Sequence, residues 1–394
     1  MTSRIRRYLD PAISWSEYKA SSDAVLIDDY VDFSAATVRE KALLSLKFSD
    51  AMVYPYAVRP FDNQYCYWSE LRPLWRRHRP DFAAQVKAKQ NFLVTRVKGG
   101  NRDEGSPLSF ISGFCDYHYL PPNASAFPLG LTHQKTGDAQ EDWFADVTAN
   151  LADPARAYLT ALDLPNPDTD RDTAELIWMH ALAIGYSPAY LSENADGIRE
   201  NWPRIPLPES RVALLASAAL GREVAALLDT EVPVPGVTSG AIRDELKTIA
   251  MVSRVGGGTL TPAEFALTAG WGSGGQGGIT MPGKGKTEPR AAGANEQAAG
   301  FGTAPTLDVY LNATAYWKNI PQPVYDFTIG GHQVIKQWLS YREQRVLGRA
   351  LTMAEIMEVT AMARRLAALV LLQLQLDENY QTVAAATWTF DAVA

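Results

Sequence analysis

Fourteen of the chain's 28 glycines fall between residues 256 and 302, in a stretch that includes GWGSGGQGGITMPGKGK. Glycine in a helix interior costs about 1 kcal/mol relative to alanine, so helical patterning on either side cannot run through this segment. The stretch is a mobile linker, a set of tight hairpins, or a loop whose backbone comes close to a ligand. The flanking TLDVYLNATAYW reads as strand, which places a small β unit at about 255–325 inside a part of the chain that is otherwise helical.

That helical part spans 173–394. TAELIWMHALAIGYSPAYL sets Leu176, Ile177, Met179, His180, Ala183 and Ile184 at helical spacing, and SRVALLASAALGREVAALLDT repeats the pattern. Between them NWPRIPLP (201–208) must be an extended connector because of its prolines. A helix is expected to follow Gly330-Gly331, and TMAE (Thr352 to Glu355) is a capping box that opens another running to about Gln375. The apolar run from Leu366 is bounded by Arg364, Arg365 and Asp377. It reads as a buried helix, too short to cross a bilayer.

Residues 1–50 read as a helical lead, with Ser14 and Glu17 of SWSE as a capping pair. Residues 51–137 read as β-rich: AMVYPYAV and NQYCYWSE are two strands meeting at the Arg59-Pro60-Phe61-Asp62 corner, NFLVTRV is a third, and LSFISGFCDYHYL another pair. LPPNASAFPLGL (120–131) is loop-like, and the acidic interval 138–172 is expected to be a connector. The fold class that follows is α+β, with mixed helices and small β-sheets in two or more lobes and a helical C-terminal part. At 394 residues the chain is long enough for more than one core.

Charge is segregated along this plan. From Arg72 to Arg102 nine Lys or Arg stand against Asp81 alone, whereas from Asp138 to Asp172 nine acids stand against Arg156 and Arg171. With a formal net charge of -7 the chain cannot coat nucleic acid with its whole surface, but it can present one phosphate-seeking face. The basic stretch follows YAVRPFDNQYCYW (56–68), whose rings can stack on bases or fill a core. Arg72, Arg76, Arg77, Arg79, Lys87 and Lys89 are assigned phosphate contacts, with Lys284 and Lys286 of the glycine loop adding to them. Arg59 and Asp62 are expected to pair with each other and fix the corner. Gly330-Gly331 either lets backbone amides approach a phosphate at a helix start or serves close packing.

No complete catalytic set accompanies these residues. GITMPGKGK has Gly278, Gly283 and Lys284 of a phosphate-binding loop, but Gly285 stands where that loop needs Ser or Thr. Glu245-Leu246-Lys247 with Pro167-Asp168 has the spacing of a nuclease motif that also arises by chance. Cys66 and Cys115 form no C-x-x-C, and His78, His118, His133, His180 and His332 are scattered, so no metal site is expected. The N-terminus lacks a secretory pattern, and a cytoplasmic protein is expected.

Several stretches together carry a family likeness: YAVRPFDNQYCYWSE…RRHRPDF, FCDYHYLPPNASAFPL, YSPAYLSENADGIRENWPRIPLP, GGITMPGKGK, VYDFTIGGHQVIKQWLSYR and ARRLAALVLLQLQLDENY. In this order they resemble the C-terminal part of type ISP restriction-modification enzymes and related adenine-specific DNA methyltransferases, over nearly the whole chain. The resemblance implies a target recognition region that reads double-stranded DNA for adenine N6 methylation. It gives no residue-level code for the bases. Such methyltransferases hold a flipped adenine with an Asn-Pro-Pro-Tyr-type motif and S-adenosylmethionine with a glycine-rich one. The nearest string here, Leu120-Pro121-Pro122-Asn123, lacks the flanking polar and aromatic residues. The expectation is a specificity module with no cofactor of its own, S-adenosylmethionine belonging to a methyltransferase partner. It is either a separate subunit or the remnant of a divided gene.

Overall fold

The computed structural model describes residues 2–390 except 23, 30–32, 73, 76–78, 100–103, 133–146 and 276–279. The N-terminal stretch forms α1 (Thr2–Tyr8), α2 (Trp15–Lys19) and α3 (Ala35–Ser45). The capping box is in place: the Ser14 hydroxyl accepts from the Glu17 N–H, and the Glu17 carboxylate accepts from the Ser14 N–H at 2.9 Å. Both bonds satisfy donors that a helix start leaves without partners. These helices enclose a small core of Tyr8, Tyr18 and Ala42. The buried Arg39 donates to the carbonyls of Tyr8, Asp10 and Ile13.

The aromatic stretch forms a hairpin of β1 (Val53–Arg59) and β2 (Asp62–Tyr67). After it come α4 (Pro80–Lys87), β3 (Phe92–Thr95), β4 (Ser109–Ile111), β5 (Phe114–Cys115), β6 (Ser125–Pro128), β7 (Gly130–Thr132) and β8 (Val147–Ala149). They make three small sheets, ordered β2-β1-β5, β4-β3-β6 and β7-β8. All of β3 is buried, which its Phe-Leu-Val-Thr sequence suits. The loop-like proline segment thus contributes β6 and part of β7.

Within the acidic interval, residues 147–172 carry β8 and α5 (Asp153–Ala161), which buries Tyr158 and Leu159. Asp168 takes both terminal nitrogens of Arg156, at 2.9 and 3.0 Å, and the Ala149 N–H at 2.9 Å. These bonds hold its carboxyl below the usual range and commit it to the fold. Charge alone suggested a connector over 138–172; its described part, 147–172, carries packed structure with Asp168 paired to Arg156, and 138–146 lie outside the described residues.

Next are α6 (Arg171–Gly185), α7 (Pro188–Glu193), α8 (Ala195–Glu200) and α9 (Arg211–Leu228), with 201–208 extended. α6 and α9 touch main chain to main chain: a Cβ on Gly221 would lie 1.7 Å from the Met179 carbonyl oxygen. Glycine stays inside α9 despite its helical cost because nothing larger fits. His180 on α6 is fully buried, its Nε2 2.7 Å from the Pro206 carbonyl and its Nδ1 2.7 Å from the Ser217 hydroxyl. A carbonyl can only accept, so Nε2 carries the proton and Ser217 donates to Nδ1. Burial pushes the imidazole pKa down to about 4 from 6.5.

The linkage has a definite sign. Below pH 6.5 the unfolded chain binds a proton at this position that the folded chain refuses until about pH 4, so stability is full above 6.5 and falls as pH drops through that window. This residue alone should remove about 2 kcal/mol between pH 7 and pH 5. Urea unfolding at both pH values checks it, with His180→Gln expected to show a smaller loss. An equal loss in the variant would assign the effect to other groups.

The chain continues with α10 (Asp244–Lys247) and β9 (Met251–Arg254), the glycine-rich interval forms β10 (Gly272–Gly274), β11 (Thr280–Pro282), β12 (Thr287–Arg290) and α11 (Ala294–Glu296), and β13 (Thr306–Tyr310) and β14 (Ala315–Pro321) follow. β12-β13-β14-β9 is an antiparallel sheet, and β10-β11 a separate hairpin. Asn319 on β14 is buried with φ +64, and its side chain links Arg290, Thr306 and Thr248. Then α12 (Gln322–Tyr325), β15 (Thr328–Ile329), β16 (His332–Gln333), α13 (Val334–Arg342), α14 (Gln344–Leu347) and α15 (Met353–Ala385) complete the chain.

α15 opens on the Thr352–Glu355 capping box, and a two-pronged bond from Arg349 brings the Glu355 carboxyl to about 2. It runs past Gln375 because Leu376, Tyr380 and Val383 extend its buried face, while Asp377 accepts from Ser187 and the Ala189 N–H at the start of α7. By length and composition alone this helix could cross a membrane, yet 61% of its most apolar stretch is buried within the protein. Arg365 sits in its middle, donating to the carbonyls of Ala226 and Leu227 in the last turn of α9 and of Asp229 and Val232 just beyond it. One hydrophobic core joins residues from Ala57 to Leu376. The architecture is α+β.

Candidate nucleic-acid interface

The corner is a two-residue hairpin turn. Proline at its first central position and a positive φ at the second, Phe61 at +63, follow the type II pattern. Phe61 is not glycine, but its ring is buried, and that packing offsets the strained backbone. Behind the turn the rings interlock around Phe114. Tyr54 and Phe82 each meet it edge-on at 5.5 Å, Trp75 lies 6.2 Å away, and Tyr56 meets Trp75 at 6.2 Å. The Trp75 Nε1–H donates to the Tyr67 carbonyl at 3.0 Å, tying the segment after β2 back to it.

The expected Arg59–Asp62 pair does not form. Arg59 and Asp62 face each other in strand register, but Arg59 donates to Asp116 at 3.1 Å and stands over the Tyr341 ring. Asp62, buried to 1% exposure, accepts from Arg342 of α13 at 2.7 Å. The reason is burial: Arg342 and Asp62 both point into the interior, where each charge needs the other. Arg59 is left to the half-exposed Asp116. The two residues of the corner are thus held by two separate partners, Asp116 and Arg342.

Of the cations assigned to phosphate, Arg72, Arg79, Lys87 and Lys89 are exposed. Arg79, in the left-handed region at φ +39, immediately precedes α4 and lies 5.8 Å from the Tyr117 ring. Lys87, in the last turn of α4, sits 3.8 Å over Trp68. Lys89 follows at φ +56. α4 and its two flanks thus hold three cations in one short region, two of them against aromatic faces that restrict their motion. Arg76 and Arg77 lie outside the described residues, as does Arg102. Arg96, counted in the basic run, is internal: it pairs with Glu104 and donates to the carbonyls of Pro121 and Gly330. Burial lowers the pKa of its guanidinium.

The described end of the glycine loop, residues 280–286, is organised for packing, while Gly278 lies outside the described residues. The Gly283 N–H donates to the Trp271 carbonyl and the Gly285 N–H to that of Gly270, so neither amide faces a ligand. A Cβ on Gly285 would strike the buried Trp271 ring at 2.2 Å. Lys284 is exposed, while Lys286 pairs with Glu288 at 3.1 Å and covers the Tyr310 ring. No hydrogen bond, ion pair or ring contact among the described residues joins these lysines to the Arg72–Lys89 group.

Gly330 and Gly331 resolve toward packing as well. They form the tight turn of the β15–β16 hairpin with φ +57 and +81, and α13 begins only after it. Their amides donate to the carbonyls of Ser106 and Glu104. Glu245 pairs with Arg243 and Lys247 with Asp244, while Asp168 is held by Arg156. Burial pushes the thiols of Cys66 and Cys115 up to about 12. Among the described residues no group of three or more His, Cys, Asp or Glu could hold a metal ion.

Residues 114–117 of Phe-Cys-Asp-Tyr were legible only as strand, yet Phe114, Asp116 and Tyr117 are central to the site. Alternation of ring, acid and ring was the available signal, and it marks a strand end as readily as a binding wall.

The rings are packed into a rigid corner, and the exposed Arg79, Lys87 and Lys89 stand at α4 and its flanks beside it. The chain belongs to the Type ISP C-terminal specificity domain family, whose model matches residues 14–367. No curated protein matches it in sequence. Among solved structures it is similar in fold to the cryoEM structure of a DrdV–DNA complex, with 16% identity and a TM-score of 0.52, covering 86% of this chain and 30% of that one. It is likewise similar to the ATP-dependent Type ISP restriction-modification enzyme LlaBIII bound to DNA, with 10% identity and a TM-score of 0.52, covering 96% of this chain and 21% of that one. The chain therefore spans less than a third of the length of either.

Proposed function

We propose that this chain is a target recognition module of a restriction-modification system, binding duplex DNA in a sequence-dependent way inside the cell. The observation that carries the reading is the exposed set Arg79, Lys87 and Lys89 at α4 beside the aromatic corner, with Arg72 exposed earlier in the same basic stretch, in a member of a specificity-domain family. Cations at α4 supply phosphate contacts, which position a protein on DNA without reading sequence; side chains of the adjoining sheets and loops read base edges. Adenine N6 methylation then belongs to a methyltransferase partner carrying S-adenosylmethionine. DNA-bound relatives with a similar fold support this reading. Retention of labelled duplex by the purified chain at moderate salt tests it: saturable binding is expected, and no retention would overturn it.

A further inference from the structure

The aromatic cluster leaves a cleft of about 650 Å³ between α4, β1, β5 and the segment from Ala124 to Leu131. Tyr56, Trp75, Phe82 and Phe114 line it, with Arg79 and the half-exposed Tyr117 also on its wall. A ring-lined space of this size is in the range of small-ligand pockets. We infer that this cleft receives a single unstacked base of the bound DNA, an inference that rests on the DNA-binding reading above.

Three features select that occupant. The rings are mutually tilted, Tyr56 and Trp75 by 61° and Trp75 and Phe114 by 36°, so π faces and edges both meet a planar guest. Aromatic walls hold bases of any identity by stacking, which suits a nucleobase better than a flexible aliphatic chain. Arg79 supplies the cation that the guest's own phosphate requires, and it belongs to the exposed basic group around α4.

The third feature is a polar edge. The Asp116 carboxylate accepts from the Tyr56 hydroxyl at 3.0 Å, Arg59 at 3.1 Å and the His118 N–H at 2.8 Å. A carboxylate offers about four acceptor positions, so one remains for a donor such as the exocyclic amino group of adenine. Cys115, also on the lining, is held as a neutral thiol by burial and offers no nucleophile.

The test uses three duplexes of one sequence: continuous, with one bulged adenine, and with one bulged abasic residue. Anisotropy titration at moderate salt should show the adenine bulge bound about tenfold more tightly than the abasic bulge, the scale of one base stacked on aromatic side chains. Tyr117→Ala, at a residue 47% exposed and so safe for folding, should bring that ratio toward one, and Trp75→Ala should do the same. Equal affinity for both bulges with the continuous duplex still bound would overturn the base site alone. A tenfold ratio that survives both substitutions would move the base elsewhere and also overturn it. No binding to any of the three would overturn the DNA-binding reading with it.

Discussion

Arg342→Met is expected to lower the free energy of unfolding by about 3–5 kcal/mol, the range for breaking a buried ion pair from one side. Asp62 is 1% exposed, and its Oδ1 accepts from Arg342 at 2.7 Å. Its Oδ2 has no hydrogen-bond partner among the described residues, so the guanidinium is what offsets the cost of burying the charge. Methionine keeps the apolar stem of the side chain and removes only the head. The effect should therefore come from the stranded carboxylate rather than from a cavity. Combining it with Asp62→Asn should recover part of the loss, because the second change removes the unpaired charge. Denaturant unfolding of the two single variants and the double variant measures this coupling. Additive losses would show that the pair is not a unit.

The second large effect is on DNA affinity. Replacing Arg72, Arg79, Lys87 and Lys89 together by alanine should flatten the dependence of log K on log salt by about 3.6, since each lost phosphate contact removes about 0.9 from the slope. Between about 50 and about 200 mM salt the unaltered chain should then lose about a hundredfold more affinity than the variant. Folding should survive, because all four side chains are exposed. Arg171→Ala is the control: its side chain is 76% exposed and its ion pair is with Glu175 on its own helix, so the slope should stay as it was. An unchanged slope in the fourfold variant would remove this patch from the interface.

What the sequence revealed was mostly local. The Ser14–Glu17 and Thr352–Glu355 boxes were readable because both partners of each bond lie within one turn of chain. The strands of the aromatic segment were readable from β-branched and aromatic clustering, and the glycine interval did contain a β unit. The ion pairs were not readable. Asp62 and Arg342 are 280 residues apart, and nothing near Asp62 distinguishes that partner from Arg59, three positions away. The glycines at 283, 285, 330 and 331 offered two meanings, ligand approach or close packing, and only the neighbours Trp271, Leu120, Ser106 and Glu104 decide between them. The basic run overstated the charged face for a similar reason. Arg96 looks like its neighbours in sequence, but the fold buries it against Glu104.

The cleft escaped the sequence because its lining comes from four separated stretches, 56–75, 79–85, 114–117 and 124–131. Each stretch has an ordinary reading as strand, helix or loop. The parallel pairing of β1 with β5 joins 56–75 to 114–117, and bonds between Gln85 and Thr132 join 79–85 to the end of 124–131, contacts between distant segments that periodicity does not encode.

Sequence-dependent binding of duplex DNA is the core of the proposed function. The most direct test is selection of duplexes from a random pool by the purified chain at moderate salt, followed by sequencing of what is retained. Enrichment of one short sequence is the predicted result, and it would also disclose the target. Retention without enrichment would contradict the claim, leaving a charged surface that holds DNA but does not read it.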